Sequence, residues 1–258
     1  NTAWQNHRQL LQLVAQRHDP GKDCELVLGR MVFASQLRRL PETHVAHACL
    51  PGGFMLSGGL GGLGLRACAL LSGMGASRLL LSSRSGHVAR KRSDSEILDQ
   101  QLIDLCSSKA EIAAHACDVA DAQDAHRLGS HTTQCLGYFH AASSSGNALM
   151  NSPRVLPLFQ AHLTGPKALG AYHLASCTQQ QCFHTVLLFS SLAALGLSVA
   201  YQGTSLYASA NAYLDSFAQT SRASARPSLS LRMANVGGQG MGSVIPDEFA
   251  SLPGLVRI

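Results

Sequence analysis

The glycine-rich stretch Gly52–Gly86 constrains the fold more than any other part of the chain. Phe54–Leu56 is a short apolar run that predicts a strand, Leu65–Leu71 has helix formers at helical spacing, and Arg78–Ser83 predicts a second strand. Between the first strand and the helix lies a turn with the spacing of a dinucleotide-binding motif, Gly59-x-Gly61-x-x-Gly64.

The three glycines of this turn have separate roles in phosphate binding. The first permits a tight turn, the second lets a pyrophosphate approach the backbone, and the third lets the helix pack against the strand. The helix N-terminus then offers N–H groups and a partial positive charge. A merely glycine-rich loop is the alternative, but the flanking strand and helix favour dinucleotide binding. The residues expected to contact the cofactor are Gly58, Gly59, Gly61, Gly62, Leu63 and Gly64.

The end of the second strand indicates which dinucleotide is bound. A site that prefers NAD usually places an acid roughly 20 residues after the motif, on the ribose 2′-hydroxyl. Here Ser83 and Arg84 occupy that position. An arginine pairs with a 2′-phosphate through charge-assisted hydrogen bonds. We therefore predict NADPH as the cofactor; a solvated surface arginine is the alternative.

Apolar runs of strand length alternate with helical segments along the rest of the chain. The predicted helices are Asp94–Cys106, Asp121–Gln134, Val155–Cys177 (with Pro166 a kink or a first-turn residue) and Tyr207–Arg226. The predicted strands are Glu111–Cys117, Leu136–Ala142, Phe183–Ser190 and Leu229–Met233. This alternation predicts an α/β fold with a doubly wound parallel sheet of the Rossmann type.

Ligands of such sheets bind outside the C-terminal ends of the strands. Asp118 and Val119 follow one strand there and are expected to contact the adenine ring. Capping of the next helix by Asp118 is a second interpretation, compatible with the first. Ala141 and Ala142 follow another strand and are small enough for a cofactor to lie close to the backbone.

Residues 1–50 form a separate segment. His7–Gln16 has helical spacing and Glu25–Phe33 predicts a hairpin around Gly29-Arg30. The segment is too short for a core of its own, so we predict a small N-terminal unit followed by a catalytic domain over 51–258. The chain begins without Met, and we expect it to derive from a longer polypeptide.

Composition argues against several classes of protein. Charged residues are 14% of the chain, and the basic cluster Arg90-Lys91-Arg92 lacks interleaved aromatic residues, so no nucleic-acid surface is indicated. The 8 cysteines and 12 histidines show no metal-site spacing, and scattered cysteines favour a reducing, cytoplasmic setting. The apolar segment Val186–Tyr201 is shorter than the roughly 20 residues of a membrane-spanning helix.

Reduction of a ketone by hydride needs a proton donor at the carbonyl oxygen. A tyrosine can serve if an ammonium lowers its pKa from about 10, and a neighbouring hydroxyl polarises the same oxygen. Tyr207 opens a predicted helix and Ser191 ends a predicted strand, with Tyr201 and Tyr213 as rivals. Asn211 stands at the fourth position after Tyr207, where ordinary short-chain dehydrogenases have lysine. No lysine follows Tyr207, so Lys167 is the candidate ammonium.

Six segments carry a family resemblance, and they occur in this order: Ser-Gly-Gly-Leu-Gly-Gly-Leu-Gly, Leu-Ser-Ser-Arg-Ser-Gly, Tyr-Phe-His-Ala-Ala, Gly-Pro-Lys-Ala-Leu-Gly-Ala, Leu-Phe-Ser-Ser-Leu-Ala-Ala and Tyr-Ala-Ser-Ala-Asn-Ala-Tyr-Leu-Asp. From about Gly53 to Gly242 the chain resembles the ketoreductase domain of modular polyketide synthases and animal-type fatty acid synthases, within the short-chain dehydrogenase/reductase superfamily. Residues 1–50 resemble the tail of the structural subdomain that precedes such a domain.

The resemblance implies roles for the candidate residues. Tyr207 would donate the proton, Ser191 would polarise the carbonyl, Lys167 would tune Tyr207 and hold the nicotinamide ribose, and Asn211 would support the proton relay. The substrate would be a β-ketoacyl chain on the phosphopantetheine arm of an acyl carrier protein, with other synthase domains as neighbours. Neither nucleic acid nor membrane is an expected partner.

The chain departs from the family's pattern at several positions. The loop before Tyr207 is longer around Ser198–Gly203, Ser143 stands where the family has glycine, and Ser145-Gly146-Asn147 replaces a stereochemical signature. Arg232–Val236 replaces a tryptophan-rich segment near the substrate lid. A catalytically silent domain that keeps the fold is therefore the alternative to an active reductase, and a free-standing reductase of small ketones is a third hypothesis.

Overall fold

The computed structural model describes residues 25–28, 31–34, 50–88, 95–144, 161–195 and 205–233. In the N-terminal segment, β1 (Glu25–Leu28) and β2 (Met31–Ala34) pair antiparallel, with Leu28 opposite Met31. The hairpin predicted there is confirmed. The helix predicted over His7–Gln16 lies outside the described residues.

A six-stranded parallel sheet forms the centre of the molecule, in the order β5-β4-β3-β6-β7-β8. Its strands are β3 (Gly52–Ser57), β4 (Ala76–Ser83), β5 (Glu111–Ala116), β6 (Cys135–His140), β7 (Thr185–Ser191) and β8 (Ser228–Met233). The chain moves outward from β3 in one direction and then returns to place β6 on its other side. This reversal creates the crevice at the C-terminal ends of β3 and β6 where such sheets bind ligands.

Helices cover both faces of the sheet. They are α1 (Gly62–Gly73), α2 (Ser95–Cys106), α3 (Ala122–Ser130), α4 (Gly170–Cys177) and α5 (Ser205–Ala223). One apolar cluster joins α1 and α2 to the sheet, and the second joins α3, α4 and α5 to the opposite face. The predicted doubly wound α/β fold is confirmed.

Strand β4 shows why a continuous apolar run is needed in the sheet. Leu79 and Leu81 are fully buried in the cluster beneath α1 and α2, whereas Leu80 is fully buried in the cluster on the other face. A parallel strand covered by helices on both sides buries its central side chains on both faces, so the run Leu79–Leu81 does not alternate with polar residues.

The boundaries of several elements differ from the sequence prediction. Helix α3 ends at Ser130 rather than near Gln134, since the Thr132 hydroxyl donates to the Gly129 carbonyl (2.6 Å) and closes the helix. Strand β6 stops at His140, and α5 begins at Ser205, so Tyr207 lies within its first turn.

Pro166 lies inside a π-helical turn, Gly165–Leu169, which follows helical residues 161–164 and leads into α4. The Gly170 N–H reaches back to the Gly165 carbonyl, five residues earlier. Proline has no N–H to donate, which favours such a break in the regular helical ladder. The turn carries Lys167, which is buried. No helix among the described residues is long and apolar enough to cross a bilayer.

Candidate active site

The glycine-rich turn packs tightly against the end of β6. Gly58 has a φ of +71°, and a Cβ there would lie 2.6 Å from the Ala142 nitrogen. A Cβ on Gly64 would lie 2.3 Å from the Gly58 carbonyl oxygen. Both contacts are to backbone atoms that cannot move aside, so these positions require glycine. The Ala141 N–H donates to the Ser57 carbonyl at 2.8 Å and fixes the turn to β6.

The N-terminus of α1 provides a cradle for phosphate groups. Its N-cap is Gly61, which has no side chain to cap the helix, and the first turn contains no acidic residue. The N–H groups of Gly62, Leu63 and Gly64 belong to this first turn, where an α-helix has no internal partners for them. The structure therefore fits the pyrophosphate of a dinucleotide at the turn predicted for it.

The end of β4 lies directly beside this cradle. The Gly59 N–H donates to the Ser82 carbonyl at 3.0 Å, which places Ser83 and Arg84 next to the turn. The Ser83 hydroxyl donates to the His87 carbonyl at 2.9 Å, and Arg84 is exposed. The structure thus leaves Arg84 exposed at the edge of the glycine-rich turn.

Asp118 does not cap the next helix, so that interpretation of the sequence was wrong. The cap of α3 is Asp121, whose carboxylate accepts from the N–H groups of Gln123 and Asp124, each at 2.9 Å. The Asp118 carboxylate instead accepts from the Ala120 N–H at 3.0 Å. This contact stays within the loop after β5, beside the crevice.

Val119 and Ala142 both contact the apolar core at the edge of the crevice. The side chain of Val119 is buried, and its backbone carbonyl lies 3.2 Å from Nδ1 of His173. Ala142 packs at the margin of the same core cluster and Ala141 is half-buried. A cofactor would meet small side chains and backbone at these positions.

Lys167 has an unusual environment for an ammonium group. Its side chain is 3% exposed, and Nζ donates to the Phe189 carbonyl of β7 at 2.6 Å. Nζ lies 5.7 Å from the centroid of the Tyr207 ring. Burial lowers the pKa of Lys167 to about 8, and the nearby Asp215 carboxylate partly opposes that change.

Asn211 links Tyr207 to the end of β7. Its amide nitrogen donates to the Tyr207 carbonyl at 2.7 Å, and its own carbonyl accepts from the Ser190 hydroxyl at 3.1 Å. The Asn211 side-chain oxygen is buried and has no hydrogen-bond partner within the described part of the chain. An unpaired buried acceptor is costly, which fits a site completed by a donor from a ligand or a water molecule.

Ser191 lies where the sequence predicts it, as the last residue of β7. Its hydroxyl oxygen accepts from the Ala193 N–H at 3.2 Å. The structure therefore brings Lys167, Asn211 and Tyr207 together. Ser191 ends β7, the strand that Lys167 and Asn211 both contact. Tyr213 is 37% exposed, and its ring packs against Phe217. Tyr201 and the longer loop at Ser198–Gly203 lie outside the described residues.

Sequence reasoning missed two polar groups beside the site. Ser57 and His140 form a buried pair between the glycine-rich turn and Lys167. Asp215 accepts from the Ser230 hydroxyl at 2.5 Å and from Nε of Arg232 at 2.7 Å. The sequence signal that could have identified these groups is the same in both cases. Each is a polar residue at a position that the strand or helix pattern assigns to the buried core.

Arg232 is one of the departures from the family's pattern noted in the sequence. It is a partner of Asp215 and so serves to hold β8 against α5. Ser143 is half-buried after β6. The altered segments 145–147 and 234–236 lie outside the described residues.

The sheet order, the glycine-rich turn and the lysine–tyrosine pair define a Rossmann-type domain of the short-chain dehydrogenase class. The family model described as the KR domain matches residues 52–238. The chain therefore belongs to the KR, or ketoreductase, domain family.

Curated relatives of the chain include large polyketide synthases. A mycocerosic acid synthase-like polyketide synthase of Mycolicibacterium smegmatis is 32% identical over 216 residues, which cover 77% of this chain and 10% of that protein. A polyketide synthase of Streptomyces halstedii is 33% identical over 203 residues, covering 75% of this chain and 2% of that protein. The chain thus spans a tenth or less of these relatives' length.

Solved ketoreductase structures share the fold. The first ketoreductase of the tylosin polyketide synthase has a TM-score of 0.73 and 26% identity, covering 95% of this chain and 52% of that chain. An A-type ketoreductase from a modular polyketide synthase has a TM-score of 0.69 and 27% identity. The match covers 91% of this chain and 47% of that chain. The chain spans about half of each of these structures.

Proposed function

We propose that this domain reduces a β-ketoacyl thioester, carried on an acyl carrier protein of a polyketide synthase, to the β-hydroxyacyl thioester with NADPH. The observation that carries the proposal is the buried Lys167 ammonium 5.7 Å from the ring of Tyr207. Membership of a family of nicotinamide-dependent reductases supports the reaction class. The synthase relatives support the substrate class.

The chain's own groups can carry the proton chemistry. When bound, NADPH supplies the hydride that adds to the carbonyl carbon. The Tyr207 hydroxyl donates its proton to the carbonyl oxygen, and the Ser191 hydroxyl donates a hydrogen bond to the same oxygen. The positive charge of Lys167 stabilises the phenolate that Tyr207 becomes when it gives up the proton.

Asn211 has a supporting role in this scheme. Its buried side-chain oxygen has no partner within the described residues, and its amide holds the first turn of α5 through the Tyr207 carbonyl. A water molecule that donates a hydrogen bond to this oxygen would provide a route for the proton that reprotonates Tyr207. This role is the one that the resemblance to ketoreductase domains implies for Asn211.

NADPH would bind in the crevice at the C-terminal ends of β3 and β6. The N-terminal turn of α1 would hold the pyrophosphate, with Ala141 and Ala142 lining the backbone path. Asp118 and Val119, in the loop after β5, would contact the adenine. Arg84 and Ser83 would bind the 2′-phosphate, because a guanidinium forms paired hydrogen bonds with phosphate oxygens.

Steady-state kinetics test the proposal. The purified domain is given NADPH and either a β-ketoacyl thioester surrogate or a bicyclic ketone, and the absorbance of NADPH is followed. We expect turnover in the wild type and a loss of at least a hundredfold in kcat for Tyr207→Phe, with Tyr213→Phe as the matched control. Tight NADPH binding without turnover in the wild type would instead indicate a catalytically silent domain.

A further inference from the structure

The imidazole of His140 lies at the junction between the glycine-rich turn and the residue that carries the ammonium. It is fully buried at the end of β6. Nδ1 lies 2.6 Å from the Ser57 hydroxyl oxygen, and Nε2 lies 3.0 Å from the backbone carbonyl oxygen of Lys167. Ser57 immediately precedes Gly58, the first glycine of the turn.

The chemistry of the two partners fixes the tautomer of this imidazole. A backbone carbonyl oxygen can only accept, so Nε2 carries the hydrogen and donates it to Lys167. Nδ1 then accepts from the Ser57 hydroxyl, which can donate. Burial lowers the pKa of His140 to about 4, so the ring is neutral at pH 7. One tautomer satisfies both hydrogen bonds.

The π-helical turn is shaped to receive this ring. A Cβ on Gly170 would lie 2.9 Å from Cε1 of His140 and 2.7 Å from Cγ2 of Val119. Only glycine leaves room for the imidazole at that point. The Gly170 N–H also reaches the carbonyls of both Gly165 and Lys167, so the Lys167 carbonyl lies where regular helical bonding is interrupted.

We propose that Ser57 and His140 are positioning residues that hold the backbone of Lys167 and so aim its ammonium at Phe189 and Tyr207. This inference rests on the proposed reductase function. The same two residues link the glycine-rich turn to the proton-donating site, because the hydrogen bonds run from Ser57 through His140 to the Lys167 carbonyl. His140 acts through Lys167 and does not itself touch the reacting atoms.

Two readouts independent of turnover test this role. The first is the 15N chemical shifts of the imidazole at pH 7, which identify the nitrogen that carries the hydrogen. The second is brief acetylation with acetic anhydride, quantified by mass spectrometry, with exposed Lys109 as the internal reference. In the wild type we expect Nε2–H on His140, and acetylation of Lys167 at least tenfold slower than that of Lys109.

The variants separate positioning from simple core filling. His140→Leu fills the space but offers neither donor nor acceptor, whereas the amide of His140→Gln offers both. We expect Leu to increase Lys167 acetylation at least tenfold and to lower kcat at least tenfold. We expect Gln to restore both to within about threefold of the wild type. Tyr138→Phe, on the same face of β6 but packed against Phe183, is the matched control.

The results discriminate between the inference and the proposed function. Lys167 that remains protected in a folded His140→Leu protein, or an imidazole with its hydrogen on Nδ1, would overturn the inference. If His140→Leu does not fold, Ser57→Ala removes one bond of the pair and is judged by the same acetylation ratio. A wild type without turnover counts against the proposed function, while acetylation and tautomer still decide the role of His140.

Discussion

The ammonium nitrogen of Lys167 lies 5.7 Å from the centroid of the Tyr207 ring, although the two residues belong to different helical segments. The same nitrogen donates to the Phe189 carbonyl, and burial holds its pKa at about 8. The ammonium group is thus buried, with a backbone carbonyl as its hydrogen-bond acceptor. This arrangement makes the stability of the fold depend on pH.

The first prediction concerns the free energy of unfolding above neutral pH. The folded protein releases the Lys167 proton near pH 8, whereas the unfolded chain keeps it to about 10.5. The unfolded state therefore binds more protons in that window, and stability rises with pH between 8 and 10.5 by on the order of 3 kcal/mol. Below pH 8 the full cost of the buried charge is present.

Urea unfolding of the wild type and of Lys167→Met from pH 7 to pH 10 measures this effect. The difference between the two proteins should shift steadily in favour of the wild type as pH rises, since methionine has no proton to release. A difference that is constant over that range would show that Lys167 is not buried as an ammonium.

The second prediction concerns the glycine-rich turn. Gly64→Ala would place a Cβ 2.3 Å from the Gly58 carbonyl oxygen, so we expect a loss of about 1 to 3 kcal/mol of stability and at least tenfold weaker NADPH binding. Gly73→Ala, in the same helix with nothing within 4 Å of the new Cβ, should stabilise by about 0.5 kcal/mol and leave binding unchanged. Thermal unfolding and fluorescence titration with NADPH check both; equal effects would contradict the account.

The third prediction concerns the choice of cofactor. Arg84→Ala should raise the Kd for NADPH at least tenfold and leave the weaker binding of NADH unchanged, because only NADPH has a 2′-phosphate for the guanidinium. Lys109→Ala removes an equal charge from another exposed position and serves as the control. Calorimetric titration with both cofactors measures the ratio, and equal weakening of NADPH and NADH would remove Arg84 from the site.

The fourth prediction concerns the link between α5 and β8. Asp215→Asn removes the carboxylate that accepts from Ser230 and Arg232, so we expect a loss of about 1 to 2 kcal/mol in the free energy of unfolding. Glu111→Gln breaks the more exposed pair with Arg78 and should cost under about 0.5 kcal/mol. The two variants differ in burial of the pair, so similar losses in urea unfolding would contradict the importance of the buried carboxylate.

The sequence predicts the strands and the glycine-rich turn well because their signals are local. Buried parallel strands need continuous apolar runs, and the turn needs glycine at fixed spacing. Lys167 could also be proposed from the sequence alone, because no lysine follows Tyr207 and few lysines remain as candidates. These inferences require no knowledge of which distant residues meet.

The sequence does not reveal contacts between residues that are far apart in the chain. It also does not show which of several neighbouring residues makes a given contact. Ser57 and His140 are 83 positions apart, and only the adjacency of β3 and β6 brings them together. The sequence suggested Asp118 as a cap for the next helix, but the backbone geometry makes Asp121 the cap.

Hydride transfer to a carrier-bound substrate tests the central claim most directly. The domain is mixed with NADPH deuterated at the transferable position and a β-ketoacyl thioester on an acyl carrier protein, and the acyl chain is analysed by mass spectrometry. We predict a β-hydroxyacyl product with deuterium on the β-carbon, formed by the wild type and lost with Tyr207→Phe. An unreduced β-ketoacyl chain with the wild type, or undiminished product with Tyr207→Phe, would contradict the account.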